Sequence, residues 1–287
     1  MLLQRIITAL ILVPLVVFAV LQLPLEYFSL LVGLVTLLAA WEWTRLIGIN
    51  SVFKRGLFLF VLILPMLWMH FWTQFLELAA QILDWPDIRD YSGILEWLVI
   101  PPVLFWILSM ILIRNAPAAL LNLEMKIRYK ALIGWLVLFA MWMFLTRLRS
   151  FYGTELTLYF LILIWTADIA AYFTGKKFGK TKLAPEISPG KTVQGMYGAL
   201  IAGGVCAVVL SLIYGFPWMV ASDFFMLSVL TVLVSIYGDL FFSLVKRQRG
   251  VKDTGSILPG HGGILDRIDS LIAAIPFFYA GIYLIHP

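Results

Sequence analysis

Residues 243–269 read SLVKRQRGVKDTGSILPGHGGILDRID, the most polar stretch in the chain, with five Lys/Arg, three Asp, one His, five Gly and one Pro. A segment of that composition cannot build a core of its own. The runs on either side, 224–244 and 270–286, are almost wholly apolar, and each is long enough to cross about 30 Å of hydrocarbon. A polar loop held between two such runs makes the chain a polytopic membrane protein.

Composition agrees. Of 287 residues, 62% are hydrophobic and 13% charged, where a soluble domain carries about 25% charged. Mean hydropathy is +0.97. Eleven Trp and 21 Phe suit rings placed at bilayer interfaces and between apolar helices. The single Cys206 lies in an apolar run, so there is no disulfide framework. A charge of +5 does not indicate nucleic acid, because the basic residues fall between apolar runs. They set topology and offer ligands for phosphate or anionic lipid.

Outward from the loop, nine apolar runs are predicted to form transmembrane helices: about 6–22, 27–44, 57–76, 97–113, 131–146, 156–175, 196–215, 224–244 and 270–286. The expected fold is an all-α, polytopic integral membrane protein with its N-terminus in the cytoplasm. Arg5 ahead of the first run resembles a secretory signal, but no small-residue cleavage site follows and a second run begins at once. Pro65, Pro101, Pro102 and Pro276 fall inside runs and predict kinks. Residues 1–150 read as a scaffold of about five helices, or as a dimer contact, with no suggestive polar arrangement. Residues 151–287 read as the catalytic region, with two basic loops. With the N-terminus inside, Arg5 and the loops 45–56, 114–130, 176–195 and 245–269 hold 18 of the 21 Lys/Arg. The opposite face receives Arg89, Arg147 and Arg149, together with the acidic segment around Asp84, Asp87, Asp90 and Glu96. That asymmetry places the polar loops in the cytoplasm.

Four aspartates carry the chemical reading. Asp266 and Asp269, three apart, share a helical face, where they would either complement a helix N-terminus or bind a divalent cation. Asp239 sits about two turns before Lys246, roughly 10 Å below the loop, with Ser243 and Lys246 on its face. An ionisable group at that depth is a functional candidate, or else a partner in an interhelical hydrogen bond or ion pair. Asp168 repeats the pattern eight residues before Lys176, with Tyr172 and Gly175 on its side, below a second loop, GKKFGKTKLAPEISPGKT. Two sunken acids beneath basic, Gly-rich loops predict one shared water-filled pocket for phosphate and metal. Gly190-Lys191-Thr192 imitates the end of a phosphate-binding P-loop, but Pro185 stands where its first Gly belongs and no strand is predicted before it. His261 belongs to no metal-ligand cluster and suits a donor to phosphate.

The pattern Ser243-x-Val245-Lys246-Arg247, Lys252-Asp253-x-Gly255, Leu258-Pro259-x-His261-Gly262-Gly263, Asp266-Arg267-x-Asp269 resembles the signature of phosphatidate cytidylyltransferases. So does Asp168-x-x-Ala171-Tyr172, Phe178-Gly179-Lys180, Leu183, Pro185, Ser188-Pro189-x-Lys191-Thr192-x-x-Gly195, with Val193 where the family pattern carries an aromatic. The resemblance implies cytidylyl transfer from CTP to phosphatidate, giving CDP-diacylglycerol and pyrophosphate, at the cytoplasmic face of a bacterial inner membrane. It implies magnesium, alone or with a second cation, on Asp239, Asp266 and Asp269. Lys246, Arg247, Lys252, Asp253, His261 and Arg267 would be the catalytic set. Asp168, Lys180, Ser188, Lys191, Thr192, Ser243, Gly262 and Gly263 would bind substrate. Two other readings stay open: a CTP-dependent enzyme acting on a polyprenol or an archaeal ether lipid, and a secondary transporter using Asp168 and Asp239 as ion-coupling groups.

Overall fold

Backbone N–H and C=O groups in hydrocarbon must be satisfied within the segment, and the helix does this. The computed structural model describes residues 2–257 and 262–285. In chain order these form α1 (Leu2–Gln22), α2 (Leu25–Leu46), α3 (Val52–His70), α4 (Trp72–Ile82), a 3-10 segment (Pro86–Val99), α5 (Ile100–Asn115) and α6 (Pro117–Leu121). Then come α7 (Ile127–Phe178), a hairpin of β1 (Lys182–Ala184) and β2 (Ser188–Thr192), α8 (Val193–Tyr214), α9 (Trp218–Gln248) and α10 (Leu265–Ile285).

Among the described residues, seven helices are long and apolar enough to cross a membrane, against the nine expected. Part of the difference is one of counting: α7, 52 residues long, is two helices meeting at a kink, and they cover the expected runs 131–146 and 156–175. Straight, it would extend about 78 Å, far beyond one crossing. It bends at Gly153, whose φ of +84° and ψ of −178° only glycine adopts cheaply. The first run falls within α1, 21 residues long, of which Leu10–Gln22 is a shorter apolar piece. The expected run 57–76 is broken at Phe71 between α3 and α4. Pro65 and Pro276 lie inside α3 and α10, but Pro101 and Pro102 open α5 instead of kinking it. A first turn has no use for their missing N–H. The antiparallel hairpin, pairing Lys182 with Thr192 and Ala184 with Ser188, was not expected. At three and five residues its strands are too short to show an alternating pattern.

Lipid is as apolar as leucine, so helix association here depends on close van der Waals packing and small interface residues. Gly238 on α9 shows this: a Cβ there would lie 2.2 Å from Ala273 Cβ on α10. Around that contact Leu240, Phe242, Ile272, Phe278 and Leu163 are fully buried. From the N-terminal half, Trp43 on α2 meets Phe242 edge-on at 5.8 Å and donates its indole N–H to Lys130 O at 3.2 Å.

The basic loops gather at one end. Arg247 Nε donates to Ile187 O at 3.2 Å, Lys130 Nζ to Gln248 Oε1 at 3.1 Å, and Gln248 Nε2 to Leu120 O at 2.7 Å. At the other end Arg147 pairs with Glu96, and Arg149 donates to the carbonyls of Val20 and Leu23.

Candidate active site

Asp239 lies within α9 and accepts the Ser243 hydroxyl, one turn on, at 3.2 Å. The hairpin supplies its counter-charge: Lys191, on β2, places Nζ 2.7 Å from Asp239 Oδ2 and 3.2 Å from Ile236 O. The ion-pair alternative for Asp239 is therefore realised, between strand and helix. Asp266, in the first turn of α10, accepts Lys246 Nζ at 2.7 Å, Thr254 N at 2.8 Å and Gly263 N at 3.1 Å, with Thr254 Oγ1 at 3.0 Å. Asp269, one turn deeper and buried, accepts Ser270 N at 2.9 Å.

Two cavities meet at Asp168, Asp239 and Arg267. The first, about 580 Å³, faces the hairpin and is lined by Tyr172, Gly175, Lys176, Lys182 and Lys191. The second, about 670 Å³, is polar at one end, with Asp253, Asp266, Asp269 and Lys246. Its other end is apolar, with Leu12 and Val16 of α1, Val35 of α2, Trp165 of α7 and Leu271 of α10. One space suits a polyanion, and the other a molecule charged at one end and greasy at the other.

Among the described residues no group of three His, Cys, Asp or Glu stands close enough together to hold a metal ion. Asp239, Asp266 and Asp269 nonetheless line one cavity, and an all-oxygen donor set suits a hard cation such as Mg²⁺. The Lys191 and Lys246 ammonium groups stand on two of these carboxylates, where such a cation would sit.

Other expected residues spread more widely. Arg247 ties α9 to the hairpin through Ile187. Lys180 and Lys252 are exposed and outside the cavity linings, as is the half-buried Ser188. Thr192 caps α8, accepting Gly195 N at 3.1 Å. Gly262 packs against Asp266, and the Gly263 amide is committed to the Asp266 carboxylate. His261 lies outside the described residues, with Leu258 and Pro259. A strand does lead into α8, contrary to expectation, but Pro185 still breaks the P-loop pattern and Lys191 is turned to Asp239. Three contributors went unread. Thr254 and Lys182 gave no separate signal, whereas Glu42, an acid within the apolar run 27–44, carried the same mark as Asp239.

Fold and site define an integral membrane protein whose charged chamber sits at one end of a helical bundle. The cytidylyltransferase family model matches residues 3–285, and the chain belongs to that family. It is 35% identical to the phosphatidate cytidylyltransferase of Haemophilus influenzae, over 97% of both chains. It is 38% identical to the Pseudomonas aeruginosa protein of that name, over 98% of this chain and 96% of the relative. A Bacillus subtilis relative, named likewise, matches 45% of this chain at 44% identity. The protein is a membrane-bound nucleotidyltransferase of bacterial type.

Proposed function

We propose that the protein transfers a cytidylyl group from CTP to phosphatidate at the cytoplasmic face of the inner membrane. The observation that carries this reading is the pair of cavities meeting at Asp168, Asp239 and Arg267, one basic and polar, the other polar at one end and apolar at the other. CTP would enter the first beside Lys182 and Lys191. Phosphatidate would place its headgroup near Lys246 and its glycerol end against Val16 and Leu271. The gathering of the basic loops at one end, with 18 of 21 Lys/Arg in the N-in arrangement, supports the cytoplasmic assignment.

The nucleophile is already a phosphate oxyanion, with a second pKa near about 6, so no strong general base is needed. Its oxygen attacks the α-phosphorus in line, the new P–O bond forms, and the bond to the β-phosphate oxygen breaks to release pyrophosphate. What the chain must supply is position and charge. Lys191 and Lys246 turn from Asp239 and Asp266 to the phosphates. Those carboxylates and Asp269 would hold magnesium, which would supply charge neutralisation at the phosphates and ease departure of the leaving group.

Pyrophosphate release by the purified protein in detergent is the direct test. Turnover is expected only with CTP, phosphatidate and Mg²⁺ together, to vanish with a chelator and to return with added Mg²⁺. A folded preparation that releases nothing from CTP across several phospholipids refutes the reading. The apolar chamber gives a second prediction. Val16→Trp fills it, so KM for phosphatidate is expected to rise about tenfold with KM for CTP unchanged. Equal effects on both substrates would remove phosphatidate from that chamber.

A further inference from the structure

The chamber rests on an acid from the other half of the chain. Glu42, on α2, is 1% exposed. Its Oε1 accepts Ile264 N at 3.1 Å, and its Oε2 accepts Leu265 N at 2.8 Å, with Thr254 Oγ1 at 3.0 Å. No lysine or arginine pairs with it among the described residues. A buried carboxylate is expensive unless its oxygens are satisfied, and here backbone amides at the start of α10 and one hydroxyl do so.

We infer that Glu42 is a positioning residue for the transfer reaction, holding Asp266 in place through Thr254 and the first amides of α10. The Thr254 hydroxyl lies 3.0 Å from Glu42 Oε2 and 3.0 Å from Asp266 Oδ2, so its single proton is shared between the two carboxylates. The loop is folded tightly onto Glu42: a Cβ on Gly255 would lie 2.3 Å from its Oε1, and one on Gly263 2.4 Å from its Oε2. The Gly263 amide, fixed by that contact, donates to Asp266 in turn. A helix start is ordinarily capped by a neighbouring Ser, Thr, Asp or Asn. Here the cap comes from more than two hundred residues away, so the seating of α2 sets where Asp266 stands. Supporting residues of this kind are typically worth about 10–100-fold in activity.

The inference rests on the cytidylyl-transfer reading for its kinetic readout, and hydrogen exchange tests it independently. Glu42→Gln keeps the shape and one acceptor. It is expected to lower kcat about 10–100-fold with KM for CTP changed less than about threefold. Thr254→Val is expected to lose a similar factor, Thr254→Ser to recover at least about tenfold of it, and the Glu42→Gln/Thr254→Val double variant to fall no further than the worse single change. In the absence of substrate, the amides of Thr254, Gly263, Ile264 and Leu265 are expected to exchange faster in Glu42→Gln, with α7 and α9 unchanged. Unchanged exchange, a Glu42→Gln kcat within about twofold of the parent, or losses that multiply in the double variant would each overturn the inference. Should Glu42→Gln not fold, Thr254→Val as active as Thr254→Ser overturns it. A parent protein that never turns over CTP, yet shows the exchange change, refutes the reading of function and leaves the positioning intact.

Discussion

Asp239→Asn is expected to reduce turnover by about 1,000-fold in a protein that still folds, the upper end of what one preorganised charge contributes to a transition state. The substitution keeps the side chain's size and its acceptor for Ser243, and removes only the charge. Breaking a fully buried ion pair costs about 3–5 kcal/mol. The Lys191 and Asp239 side chains are 24% and 31% exposed to the chamber, so solvent screens the pair and the stability cost falls toward about 1 kcal/mol. Activity and stability should therefore separate. Lys191→Met, which leaves the proposed cation ligands untouched, is expected to lose less, about 10–100-fold, mostly as a raised KM for CTP. Thermal unfolding read beside turnover at graded Mg²⁺ distinguishes the roles. Asp239→Asn should demand more Mg²⁺ for half-maximal rate, and Lys191→Met should not. An Asp239→Asn protein within tenfold of the parent at all Mg²⁺ concentrations would end the metal role given to Asp239.

The acids and cations of the candidate site were legible because lipid makes polarity conspicuous. Asp168 and Asp239 stand out in apolar runs, and the structure places both at the meeting of the two cavities. The loop after Lys246 stands out for the same reason, and it delivers Asp266 to Lys246. Three things were hidden. The hairpin at 182–192 depends on tertiary pairing, and without it nothing in the sequence says that Lys191 reaches Asp239. The bend at Gly153 falls in the gap read between the runs 131–146 and 156–175, but that the two helices meet at a single residue with no loop between them is declared only by its being glycine. Glu42 was visible by the rule that exposed Asp239, but its partners at Thr254, Ile264 and Leu265 are too distant in sequence to suggest a role. Hydropathy sees a residue's own cost in lipid and is blind to the partner that offsets it.

The contact between α9 and α10 turns packing into chemistry, and Gly238→Ala tests it. The added Cβ would lie 2.2 Å from Ala273 Cβ and 3.3 Å from Asp269 O, so the helices must part by more than an ångström. Overpacking of this kind costs about 1–3 kcal/mol. The larger effect is expected in turnover, because Gly238 adjoins Asp239 and Ala273 lies one turn beyond Asp269. Parting the helices there parts the two carboxylates, and a displacement of about 1 Å can cost about 100-fold in rate. Adding Ala273→Gly to Gly238→Ala removes the opposing methyl and is expected to restore most of the lost turnover together with the lost stability. That reversal separates spacing from any loss peculiar to glycine at position 238. If the double variant regains stability but stays inactive, the separation of α9 and α10 is not what sets the site. If Gly238→Ala alone is fully active, the site tolerates the displacement, and Asp239 and Asp269 would not have to be held at a set separation to serve the reaction.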